Sequence, residues 1–485
     1  MKLLISKTNR LLSICWILFV LIVSVLLFFI VYRAAWGLGD DMQLLKSTAV
    51  GKLMLYMHGD SGRFSPLALF DFNVLLLIPK GNTLIAHYLL MAVSYIVFIS
   101  LSLLFYHRII SECINFKAPK ELLLLLFGLF ILLKVYPLFI SIVFPERMLI
   151  ILLTAFMISY IYWIKTNKFI YAILIIVSTL CSTYTKEPVS IALCVFGTVI
   201  LLFNYKALTL QQKVLNLFLC INMIIFLLLY YFIGYRHADI IYYQQLDFSA
   251  LPYIEIINRV FRSHKILFLF YGIFCIRAYY FIVKKERNQV YYDALLVSGI
   301  TYSLILIYLK LHFSHYYFTV IVLCMPSLII NALKYYKLKT GIVLILSTCI
   351  LIMFTYTYHY IKESQTERAT FTACTSRLID DIEKGYDVIW YNTAITTKSS
   401  VPTVNDAKKA SLEYYINYSM KNNRHYQLLA GDGQNQSTNH FILLYAIENN
   451  NVAEIKNGFE ALVHNNKLYL SDSFDGINVY KQTQP

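Results

Sequence analysis

The chain has 485 residues, of which 59% are hydrophobic and only 14% charged. That balance excludes a soluble globular enzyme, a disordered chain and a secreted disulfide-stapled domain. A formal charge of +15 would suggest nucleic acid in a soluble protein. Here Lys and Arg collect in short connections between apolar runs, so the charge is a topological signal and not a nucleic-acid footprint. The 40 Tyr and 33 Phe suit a polytopic membrane protein with many rings at the two interfaces. The nine cysteines are scattered, and no CxxC or His/Cys spacing suggests zinc.

Lys2, Lys7 and Arg10 precede an apolar run from Leu11 to Val31. A signal peptide begins in the same way. This run is too long for an h-region and lacks a small-x-small exit, so it reads as an uncleaved first span. Further runs centre near Val93, Phe127, Ala155, Ile175, Val195, Ile225, Phe270, Ile305, Leu323 and Leu346. That predicts about eleven spans by the ~20-residue criterion. The fifth and sixth are the shortest, separated only by Tyr184-Thr185-Lys186-Glu187-Pro188.

The basic connections set the orientation. With the N-terminus inside, the inner loops hold Arg108, Lys117 and Lys120, then Lys165 and Lys168, then Lys206 and Lys213. Lys284, Lys285 and Arg287, and finally Lys334, Lys337 and Lys339, follow the same rule. An odd number of spans then places residues from about 361 onward outside the cytoplasm. The expected division is a transmembrane domain over 1–360 and an extracytoplasmic domain over 361–485. Outer loops at 35–83 and 235–265 are long enough to have a function.

The C-terminal stretch is rich in Asn, Thr, Ser and Lys. Lys362 to Lys384 reads as a helix continuing from the last span, and Ala407 to Met420 as a second helix. Asp387 to Tyr391, His440 to Ile447 and Leu468 to Tyr480 carry strand signals. A small α/β domain is expected. Gly431-Asp432-Gly433 reads as a turn, since no strand–loop–helix with a following Lys surrounds it.

Candidate functional residues gather on the outer side. Asp40 and Asp41 follow directly on the first span. Adjacent acids there can act as a general base or hold a divalent metal with phosphate oxygens. Equally, they suit solvated loop acids or an N-cap for a helix starting near Met42. Arg63, in Gly59-Asp60-Ser61-Gly62-Arg63, can bind a phosphate from a surface turn. Glu146 and Arg147 lie at one outer connection, Lys186 and Glu187 at another. Charges between spans so tightly linked are costly unless used or paired. Lys186 and Arg147 can neutralise a leaving phosphate while Glu146 and Glu187 orient them or touch a sugar; alternatively each adjacent pair is an interfacial ion pair. His315 can donate to a phosphate or belong to an aromatic belt. Lys134, inside the third apolar run, must face a cavity or snorkel. Arg259 and Arg262 suit an amphipathic helix lying on the bilayer.

This plan resembles the GT-C superfamily of membrane glycosyltransferases. The features that carry the resemblance are the N-in first span, the long first outer loop opening with Asp40-Asp41, the many spans and the outer C-terminal domain. Within that superfamily it resembles the bacterial and phage-encoded O-antigen glucosyltransferases that change serotype. The resemblance implies a polytopic α-helical fold with a small C-terminal α/β domain. It implies a bacterial inner-membrane enzyme that takes a hexose from a polyprenyl-phosphate donor, undecaprenyl phosphate being the carrier. The acceptor would be a lipid-linked or surface polysaccharide such as the O-antigen of lipopolysaccharide. Asp40 or Asp41 would be the base, with inversion at the anomeric carbon. Arg63, Arg147, Lys186 and His315 would bind the donor phosphate, supported by Glu146 and Glu187. No cofactor is required by the sequence; a divalent metal, Mg or Mn, would fall to Asp40 and Asp41. In the outer domain Trp390, Tyr391, Tyr414 and Tyr415 are candidates for sugar stacking or for its core. An O-antigen polymerase or ligase, or a lipid-linked-sugar flippase, is the alternative.

Overall fold

A computed structural model describes residues 2–32, 53, 55–58, 63–78, 84–114, 117–140, 144–237, 252–311, 313–335, 339–391, 404–420, 429–431, 441–446, 463–464, 467–474 and 477–482. They divide between two compact units that meet at Tyr358 and His359.

In the first unit every apolar run is a helix. In chain order these are α1 (Lys2–Tyr32), then the hairpin β1 (Tyr56–His58) and β2 (Arg63–Ser65), then the short α2 (Phe70–Leu77). There follow α3 (Leu84–Cys113), α4 (Lys117–Val135), α5 (Glu146–Thr166), α6 (Phe169–Thr185), α7 (Val189–Asn204) and α8 (Leu210–Leu229). Then come α9 (Tyr253–Ser263), α10 (Ile266–Ile282), α11 (Val290–Tyr308), α12 (Phe318–Tyr335) and α13 (Lys339–Glu383). Eight spans among the described residues are long and apolar enough to cross a bilayer, or nine with α9 and α10 taken as one broken span. The 17-residue α6 is shorter, and α4 is a further apolar helix. The protein is a polytopic helical membrane protein.

Burial separates central from peripheral helices. In Ser314–Lys334 78% of the most apolar stretch is buried, against 17% in Leu12–Tyr32. The exposed large side chains of α1, α6 and α8, such as Ile17, Val177 and Leu228, are those of a surface that meets lipid. Two glycines let helices approach closely. A Cβ on Gly197 would lie 2.7 Å from the Asn216 carbonyl oxygen, and one on Gly299 2.4 Å from Cys324 Sγ. Buried polar groups tie α8 to α5 and α6. Tyr160 donates to Asn216 Oδ1 at 2.8 Å and Asn222 to Thr183 Oγ1 at 2.9 Å. The connection between α8 and α10 contains the amphipathic α9, which buries Ile256 and Val260 and joins α10 through a bend of 103°. Its Arg259 pairs with Glu255 one turn away.

Successive spans alternate in direction, so their connections fall at two ends of the bundle. At one end α4, α6 and α8 finish and α3, α5, α7 and α12 begin. This is called the site end below. The other end holds Arg108, Glu112, Lys165, Glu286 and Lys334.

The second unit, from His359, starts inside α13. Phe371, Cys374, Leu378 and Ile382 form its buried face, spaced three and four residues apart. Gly385, at φ +95°, ends the helix; its N–H bonds the Ile382 carbonyl at 3.0 Å, and Tyr386 N–H bonds that of Asp381 at 3.1 Å. The chain then enters β3 (Asp387–Tyr391), followed by α14 (Val404–Ser419), β4 (Leu429–Gly431), β5 (Phe441–Ala446), β6 (Leu468–Phe474) and β7 (Ile477–Gln482). The sheet order is β4-β3-β5-β7-β6, with β3 parallel to both neighbours and β5, β7 and β6 antiparallel. Ile389, Leu443 and Leu468 form its core. Trp390 is buried, and Tyr415 packs on Phe371 at 5.1 Å, so these two rings serve this unit's interior.

Candidate functional site

The segment 63–78 is folded onto the end of the bundle. Leu67 N–H donates to the Tyr184 carbonyl at 3.0 Å, and Phe64 packs against Tyr184 and Phe226, each at 6.0 Å. This docking carries α2 to the start of α5. There Asp71, in the first turn of α2, forms an ion pair with Arg147 in which both side chains are almost wholly buried. Asp71 Oδ1 also accepts the Phe72 N–H at 3.0 Å. Phe72 stacks at 4.1 Å on His87, which is fully buried in the first turn of α3.

A second pair lies beside the first, because Glu146 precedes Arg147. Glu146 Oε1 meets Lys186 Nζ at 2.8 Å, with side-chain exposures of 1% and 3%. Local sequence explains both positions. Pro145 starts α5 with Glu146 in its first turn, where an acid suits the helix macrodipole. Pro188 cannot continue α6 and restricts Glu187, so Lys186 closes α6 in an extended conformation. Lys186 Nζ lies 4.3 Å from the centroid of the Tyr316 ring. His315 stacks on Phe144 at 4.4 Å and touches Tyr316 at 4.2 Å. Segments preceding α5 and α12 and closing α6 therefore bring Glu146, Lys186, His315 and Tyr316 together at one end.

The charges pair differently from the sequence expectation. One of the two sequence readings paired adjacent residues with each other; instead Glu146 reaches Lys186 and Arg147 reaches Asp71. Neighbours on a helix point in different directions, so each finds its partner on another segment. Arg147 and Lys186, expected to face a phosphate, each carry a carboxylate of their own. Glu187 is half-buried, and its carbonyl accepts the Ser190 hydroxyl at 2.9 Å. Arg63 opens β2 opposite His58. Asp40 and Asp41 lie outside the described residues. Among the described residues no group of three or more His, Cys, Asp or Glu side chains is gathered for a metal.

Asp71 and His87 were missed. Asp71 did carry a signal, as a lone acid in the apolar run Phe70-Asp71-Phe72-Asn73-Val74-Leu75. An acid there needs a cation nearby.

No protein-family model and no curated protein matches the chain. Two solved structures do. The crystal structure of ArnT from Cupriavidus metallidurans bound to undecaprenyl phosphate is 11% identical, with a TM-score of 0.52 over 96% of this chain and 98% of that one. Its apo state gives 0.51 over 96% and 97%, again at 11% identity. The chain shares the fold of ArnT. The match covers residues of both units.

Proposed function

We propose that this protein is a membrane glycosyltransferase that moves a hexose, glucose in the first instance, from a polyprenyl-phosphate donor to a surface glycan such as O-antigen. The observation that carries the reading is a full-length fold match to a protein solved with undecaprenyl phosphate, joined to a buried charged cluster at one end of an apolar bundle. Such a site suits a substrate whose tail stays in lipid while its phosphate and sugar reach polar groups at the interface. The positive-inside pattern supports a cytoplasmic N-terminus, and with it an outer-face site and an extracytoplasmic C-terminal domain from about 361.

In this reading Asp40 or Asp41 takes the proton of the acceptor hydroxyl. The acceptor oxygen attacks the anomeric carbon, and the bond to the donor phosphate oxygen breaks through an oxocarbenium-like state. A single displacement inverts the anomeric centre. Lys186, Arg147, Arg63 and His315 stabilise the departing phosphate. Glu146 holds Lys186 in place, and Glu187 supports the sugar side. A divalent ion, Mg or Mn, would fall to Asp40 and Asp41.

The test is expression of wild type and an Asp40→Asn/Asp41→Asn double variant in a host that supplies polyprenyl-phosphate sugars and a defined O-antigen. Mass spectrometry of the released polysaccharide should show an added side-branch hexose with wild type alone. A hexose that persists in the variant keeps the enzyme class and discards this base. A shift in glycan chain length instead would identify a polymerase.

A further inference from the structure

The two cations at the heart of the cluster already have carboxylate partners. Among the described residues a third cation at the same end has none. Lys134 lies in the last turn of α4, and from Ile131 to Ile140 it is the one residue that is not buried. Among the described residues it enters no ion pair. The turn around it is held from two sides: Tyr136 donates to the Leu26 carbonyl at 2.8 Å, and Thr357 to that of Leu133 at 3.3 Å. The position is therefore fixed rather than frayed. His264 is buried at the bend between α9 and α10. Its ring packs on Tyr317 and Phe318 at 5.7 and 5.6 Å, beside His315 and Tyr316 in the chain. Lys134, in the last turn of α4, belongs to the same end.

An ammonium held without a counter-charge inside an apolar bundle destabilises it, and such residues persist where they meet an anion. The helix C-terminus favours a cation only weakly. We infer that Lys134 is a further phosphate-binding residue, an open cation that receives the phosphate of the polyprenyl donor alongside Arg147 and Lys186, whose charges are shared with Asp71 and Glu146. This inference rests on the donor reading given above.

The experiment measures binding of undecaprenyl phosphate and of undecaprenol to the full chain in phosphatidylcholine nanodiscs, with melting temperatures alongside. Wild type should prefer the phosphate form. Lys134→Met and Lys134→Gln should weaken undecaprenyl phosphate about tenfold, the scale of one charge-assisted hydrogen bond, and leave undecaprenol unchanged. Lys134→Arg should retain most of the affinity. The Met variant should melt no lower than wild type, since it removes an unpaired charge. Wild-type affinity in both the Met and Gln variants overturns the inference while leaving the donor reading intact. An equal loss for both ligands with a lower melting temperature overturns it too, because Lys134 would then be structural. Competition by phosphatidylglycerol as strong as that by undecaprenyl phosphate, and equally dependent on Lys134, assigns the residue to bulk lipid instead. A wild type that fails to prefer the phosphate form removes the donor reading itself.

Discussion

The two ends of the bundle carry similar charged residues in opposite settings. At the site end Asp71–Arg147 and Glu146–Lys186 are between 1% and 6% exposed. At the other end Glu112 meets Lys165 with exposures of 31% and 36%, and Glu286 meets Lys334 at 3.0 Å with 24% and 39%. Half-exposed pairs are worth about 0–1 kcal/mol and need no function to explain them. Buried pairs lose their hydration, and their attraction roughly offsets that loss only when the geometry is good. Stability alone therefore accounts for the charges at one end and gives no reason for those at the other.

One pair sharpens the comparison. Arg277 and Asp293, joining α10 to α11, are buried and bidentate, with Nε–Oδ1 at 2.8 Å and Nη2–Oδ2 at 2.9 Å. They are as buried as the site pairs yet lie away from the aromatic cluster around His315. Lys186→Met should strand the Glu146 carboxylate and cost about 3–5 kcal/mol. The Glu146→Gln/Lys186→Met double variant should regain most of that stability but transfer at least about 10²-fold less hexose, the scale of one lost transition-state charge contact. Thermal unfolding in detergent and the polysaccharide assay read the two effects separately. A double variant that is both stable and active would reduce the Glu146–Lys186 pair to scaffolding.

The next effect is smaller. Arg277→Met alone should cost about 3–5 kcal/mol by the same stranding of a carboxylate. The Arg277→Met/Asp293→Asn double variant should recover stability and, unlike the site pair, keep transfer within about twofold of wild type, since a change of stability alone does not alter a transition-state contact. Equal loss of activity in both double variants would erase the distinction between a functional and a structural buried pair.

How much of this was legible in the sequence follows from the range of each interaction. The apolar runs from Leu11 to Leu346 all became helices, because span length and hydropathy are local properties. The helix continuing past Lys362 and strands β3 and β5 were also readable from local periodicity. The hairpin β1–β2 and the three-residue β4 were not, being too short to show a period. Co-location of Glu146, Arg147, Lys186 and His315 was readable from topology, since all fall at the same ends of alternating spans. Their partners were not. Asp71 and Arg147 are 76 residues apart, and only the docking of Leu67 on Tyr184 makes them neighbours. The middle loop's Arg259 and Arg262 were readable as an amphipathic helix, which α9 is, although its 103° corner with α10 depends on packing against the bundle.

The smallest effect tests the other end directly. Glu112 is the hub there, 3.5 Å from Arg108, paired with Lys165 and accepting the Tyr292 hydroxyl at 3.3 Å. Three partners on α3, α5 and α11 would make it look indispensable on a count of interactions. Its exposure argues otherwise: water replaces lost partners at a half-exposed carboxylate, and Gln keeps the acceptor for Tyr292. Glu112→Gln should therefore lower stability by less than about 1 kcal/mol and leave hexose transfer unchanged. Its place at the end proposed to face the cytoplasm gives a second readout, because the positive-inside rule counts Lys and Arg and gives acids little weight. Removing this acid should leave the N-terminus cytoplasmic, measurable by cysteine accessibility from either side of the membrane. A large loss of activity would mean that the two ends are coupled through α5, whose first turn holds Glu146 and Arg147 and whose last holds Lys165.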